Sequence, residues 1–174
     1  MKAMLLMGHG GPELMKFGEA DDPKAGPRPT GNYIEALAGG NEAEVISHLY
    51  WDRGWFTGIN DPCDKTGIKS IHVAAEKGHA HLVQLLIDRG ADVDNPGEWG
   101  YNQRPLHVAA NQGHLAVVAI LLARRANPNA MGRGGTPLDV AEAAGKTEVA
   151  NLLKEFGARR ASELPAHGAK GDER

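Results

Sequence analysis

The five residues Ile71-His72-Val73-Ala74-Ala75 return as Leu106-His107-Val108-Ala109-Ala110 and once more, weakened, as Leu138-Asp139-Val140-Ala141-Glu142. Little else constrains a fold so tightly, because a segment recurring at a fixed period is one structural unit stacked several times. Each copy is followed at the same offset by a glycine, Gly78, Gly113 or Gly145, and the first two glycines by His79 and His114. Apolar residues then recur three and four apart: Leu82, Val83, Leu85 and Leu86; Val117, Val118, Ile120 and Leu121; Val149, Leu152 and Leu153. That spacing lays one buried stripe along a helix. The histidine of the second copy lies 35 residues after that of the first, and Asp139 lies 32 after His107. A period of about 33 belongs to a unit of one turn and two short helices.

Local chemistry agrees with that unit. The small residues Ala74, Ala75, Ala109 and Ala110 allow close helix packing, and Gly78 and Gly113 end a first helix at little strain because glycine accepts positive φ. Gly90 and Gly157, each followed by alanine, close the second helix, whereas Arg125 holds that place in the middle copy. A side chain in the left-handed region there costs about 1 kcal/mol. Helices this short are marginal alone, so the stripes must be buried against neighbouring copies, at about 1.5–3 kcal/mol for each Leu, Val or Ile. Upstream, Tyr33 to Gly54 reads as a degenerate copy: Tyr33–Ala38 as a first helix ended by Gly39-Gly40, Val45, Ile46 and Leu49 lining a second, and Ile59-Asn60 closing it.

These motifs carry a resemblance. The run from Asp64 through Ser70-Ile71-His72 to Asp94, that from Pro105-Leu106-His107 to Ala130, and that from Thr136-Pro137-Leu138 to Ala158 each resemble an ankyrin repeat. In the last, aspartate replaces the usual histidine, as in many terminal repeats. The resemblance implies an all-α ankyrin-repeat solenoid with hairpin fingers and a concave protein-binding face, made of three clear repeats and the degenerate amino-terminal one. It also implies a structural hydrogen bond from His72 and His107. The domain boundaries expected are an extension over residues 1–30, the repeat domain over 31–158 and a disordered tail over 159–174.

A stack of this kind binds another protein through finger tips and first helices, so the residues expected to line the site are Lys65, Thr66 and Ile68, with Glu76 and Lys77 from the first clear repeat. Trp99, Tyr101, Asn111 and Gln112 serve the second and Arg133 the third. Trp99 and Tyr101 stand out because the finger carrying them is longer than the period, and aromatic residues dominate interface energetics. Trp51, Trp55 and Phe56 read instead as end-capping core.

Composition sets what the chain is not. A formal net charge of −3 leaves no basic footprint for nucleic acid. No stretch approaches the roughly 18 apolar residues needed to span a bilayer. One cysteine, Cys63, permits no internal disulfide and fits a reducing cytoplasm. A monomer without cofactor or metal is expected. His79 and His81, two apart on a helix, point to different faces and make a poor chelate, and a Cys63–His72 nucleophile pair lacks an orienting partner.

The opening residues belong to another pattern. Met1-Lys2-Ala3-Met4-Leu5-Leu6, Gly10-Gly11-Pro12-Glu13, Lys16-Phe17 and Asp22-Pro23-Lys24-Ala25-Gly26-Pro27 resemble the first strands of medium-chain quinone reductases. The alternative this raises is an oxidoreductase-related protein. The glycine-rich phosphate cradle of a strand–turn–helix unit is missing, however, so the segment reads as a fragment without activity.

Overall fold

The computed structural model describes residues 31–51, 59–60, 62–63, 68–97 and 103–165. Their helices form four pairs: α1 (Tyr33–Gly39) with α2 (Glu42–Trp51), α3 (Ser70–Lys77) with α4 (Ala80–Asp88), α5 (Pro105–Gln112) with α6 (Leu115–Ala123), and α7 (Pro137–Ala143) with α8 (Thr147–Glu155). The first helices α1, α3, α5 and α7 stack in one row, and α4, α6 and α8 in a second. Among the described residues there is no strand, only isolated antiparallel bridges, Pro62 to Lys69 and Gly132 to Gly135. The second of these closes the base of a hairpin finger.

One continuous apolar core runs between the rows. Leu37, Val45, Leu82, Leu86, Leu106, Leu121 and Leu153 are wholly buried, so each helix pair hides its stripe against the next pair. The degenerate first copy joins this core through Tyr33, Leu37 and Val45, with Leu49 packed against it.

Helices α1, α3 and α5 each end on a glycine in the left-handed region: Gly40 at φ 72°, Gly78 at 77° and Gly113 at 84°. Conformation is half the reason. A Cβ on Gly40 would meet the His79 ring at 2.8 Å, one on Gly78 the His114 ring at 2.6 Å, and one on Gly113 the Lys146 chain at 2.7 Å. The next repeat therefore lies directly over each glycine. Gly145, in the last repeat, has nothing over it. At the ends of the second helices Gly90 and Gly157 are also left-handed, and Arg125 shares that conformation at φ 66°, the one non-glycine residue with positive φ among the described residues.

The boundary expected at Ala158 falls inside a bonded segment. Arg159 donates its amide to Asn129 Oδ1 at 2.7 Å and accepts from Thr136 Oγ1 at 2.8 Å, and Ala161–Glu163 forms a 3-10 turn. Arg160 makes a forked contact with Glu142 at 2.7 and 3.1 Å. Residues 159–163 pack on the last helix pair; 166–174 lie outside the described residues.

Candidate docking face

Histidines build the joints on which this face rests. His72 Nε2 lies 3.0 Å from the Gln103 carbonyl, and His107 Nε2 lies 3.0 Å from that of Ala130 and 3.3 Å from that of Gly135. A carbonyl only accepts, so Nε2 carries the proton in both rings. The structural hydrogen bond that the resemblance implies is present, and it ties a first helix to the base of the following finger. His107 Nδ1 also accepts the Arg104 amide at 3.3 Å, capping its own helix. Burial lowers the affinity of both rings for a second proton, outweighing the carbonyl bonds that favour it.

A second histidine series, which sequence reasoning passed over, runs the other way. His79 Nε2 donates to the Ala38 carbonyl and His114 Nε2 to that of Glu76, both at 2.8 Å, joining the start of each second helix to the preceding first helix. His81 Nε2 instead meets Glu42 Oε2 at 3.0 Å, so His79 and His81 are engaged with different partners. The signal was the Gly-His pair itself: the glycine leaves the space that the histidine of the next repeat fills.

A third series spans the loops. Asn60 accepts the Asp92 amide at 2.7 Å and donates to the Gly90 carbonyl at 3.0 Å. Asn129 repeats both bonds with Arg159 and Gly157, at 2.7 and 3.2 Å. Asp94 accepts the Asn127 amide at 3.0 Å, but a carboxylate has no N–H to offer the Arg125 carbonyl. At the amino-terminal joint, the Tyr33 hydroxyl and Cys63 Sγ lie 3.0 and 3.1 Å from Ser70 Oγ, and burial raises the Tyr33 pKa. Cys63 is thus placed beside Ser70.

With these joints set, equivalent positions on neighbouring first helices fall into line. Glu76 and Lys77 end α3, and Asn111 and Gln112 occupy the same two positions on α5. Lys77, Asn111 and Gln112 are exposed and Glu76 is half-buried, with Lys77 Nζ 3.2 Å from Glu76 Oε1. Arg133 is exposed at the tip of the finger closed by the Gly132–Gly135 bridge. Ile68 is half-buried and packs against the core. Lys65, Thr66, Trp99 and Tyr101 lie outside the described residues, as do the side chain of Trp51, Trp55, Phe56 and the opening segment over 1–30.

The charges that bind elements together sit elsewhere. Hydrogen bonds from Arg160 and Lys154 hold the half-buried Glu142 carboxyl down at about 2. On the second-helix row, Gln84 and then Arg124, at 2.6 Å, lower the pKa of Asp88. Among the described residues, no group of three or more His, Cys, Asp or Glu side chains is placed to hold a metal ion, and no helix is long and apolar enough to cross a membrane.

Comparison with known proteins agrees with this geometry. A family model described as ankyrin repeats (3 copies) matches residues 34–132 and again 71–162. Alpha-latrotoxin-Lg1a of Latrodectus geometricus is 39% identical over 71 residues. That stretch is 41% of this chain but spans only 5% of the toxin's length.

Proposed function

Because the chain belongs to the ankyrin-repeat family, we propose that it is a non-enzymatic, cytoplasmic module that binds another protein across its first-helix ends and fingers. Protein–protein interaction is the role that ankyrin repeats indicate, and the observation that carries the finer reading is the polar row Lys77, Asn111 and Gln112. These side chains stay exposed on adjacent helices whose inner sides are wholly committed to the core. An exposed row of long, hydrogen-bonding side chains held on rigid helices is what a docking surface requires, since little order is lost when a partner arrives. Arg133 belongs to the same proposed surface, and Lys65, Thr66, Trp99 and Tyr101 are contact residues expected from their sequence positions, the aromatic pair as the anchor.

Placing a photo-reactive amino acid at position 112, at 99, or at Asn151 on the exposed side of α8 tests this reading. Irradiation in cells should give one shared protein adduct from 112 and 99 and none from 151. Adducts from 151 alone would move the interaction to the second-helix side and sink the reading.

A further inference from the structure

We propose that His72 and His107 make the stack acid-sensitive, so that protonating either ring opens the joint between its first helix and the following finger. His107 is fully buried and His72 is 7% exposed. Both Nε2 protons are already given to backbone carbonyls, so a second proton must go to Nδ1. In His107 that atom accepts the Arg104 amide, and protonation would set two donors against each other. In His72 it is buried with no hydrogen-bond partner, and protonation would place a cation in the core with no carboxylate acting on it.

The surroundings offer such a cation little. The inward-facing residues of the helices packed on α3 and α5 are Tyr33, Ala36 and Leu37 of α1, Leu82, Val83 and Leu86 of α4, Val117, Val118, Leu121 and Leu122 of α6, and Pro137, Leu138, Val140 and Ala141 of α7. None is charged. The half-buried Asp139 of α7 is engaged by the amides of Thr136 and Ala161. Lys69, at the start of α3, repels a proton on His72. Arg104 does the same at His107, where Asp94 attracts one; at His72 the Gln103 and Asn95 carbonyls favour one, and burial outweighs them. The folded chain therefore favours the neutral rings. Their stabilisation is complete above the unfolded histidine value of 6.5 and is lost as the pH falls below it. Two rings at successive repeats make the response steeper than one could. The acid response is a property of the fold; only its consequence for docking rests on the proposed function.

Urea unfolding of the full chain between pH 7.5 and 5.5, followed by circular dichroism, tests it. With a free histidine near 6.5, the folding constant should drop up to about tenfold for each ring, about a hundredfold for both. Glu142 does not interfere, because its contribution is lost only below its ordinary value of 4.5. His72→Gln and His107→Gln should each remove about one tenfold step. Should those variants fail to fold, imidazole NMR of the unaltered chain decides: both rings should titrate below the ordinary histidine value. A folding constant that holds steady over this range, or either ring titrating at its ordinary value in the folded chain, overturns the proposal.

Discussion

The third and fourth repeats place different residues at the same position, and their surroundings explain both. His107 of α5 faces the carbonyls of Ala130 and Gly135 and donates to them. Asp139 of α7, at the equivalent place, faces the amide of Ala161 and accepts from it at 2.8 Å. Both also accept the amide of their own N-cap residue, Arg104 or Thr136. The difference lies in the polarity of the next segment along the chain: a finger presents carbonyls, whereas the segment at 159–163 presents an N–H. A neutral imidazole can donate with one nitrogen and accept with the other; an ionised carboxylate only accepts. The substitution at the end of the stack is thus a match to a changed neighbour, not a decayed motif.

The sharpest way to break this comparison is to exchange the chemistry. His107→Asp would press a buried carboxylate against two carbonyl oxygens and should cost about 3 kcal/mol or more, read as a shift in urea midpoint. A loss below about 1 kcal/mol would show that the finger can turn an amide inward, and that neighbour polarity does not select the residue.

Glycine supplies a gentler version of the same contrast between interior and end. Gly78→Ala and Gly145→Ala both strain a left-handed residue, at about 1 kcal/mol each. Only at Gly78 does the new methyl also displace a histidine that bonds across repeats, adding about 1 kcal/mol. Chemical denaturation of the pair should show Gly78→Ala as the more damaging by that margin. Equal losses would mean that conformation alone fixes these glycines.

The smallest effect has the opposite sign. Arg125 is exposed and left-handed, so Arg125→Gly should raise stability by about 1 kcal/mol, visible as a higher melting temperature. A lower one would assign Arg125 a contact that outweighs its backbone strain.

Much of this architecture was legible before any coordinates. The repeat period, the apolar stripes and the glycine stops locate all four helix pairs, because helix periodicity and left-handed backbone are written in single residues and their neighbours. Even Tyr33–Gly39, the degenerate first helix, starts where the sequence indicates, and the strain at Arg125 is foreseen from position alone. Ile68 shows what such reading leaves open: an apolar residue beside a finger is expected at the docking face, and only the packing shows that it is half-buried and rests against the core.

What tertiary structure decided is the partner of each polar group. His72 bonds to a carbonyl 31 residues away, His79 to one 41 residues away and Asp139 to an amide 22 residues away. Two of these partners are carbonyls and one an N–H, and all belong to the backbone, which every residue carries, so no side-chain pattern announces them. For the same reason the packing of 159–163 escapes a reading of composition: Arg159 and Ala161 act through their main chain. Sequence settles which segments become helices because that depends on local dihedrals and on the spacing of apolar side chains. Which donor meets which acceptor between repeats depends on how closely those helices approach once stacked.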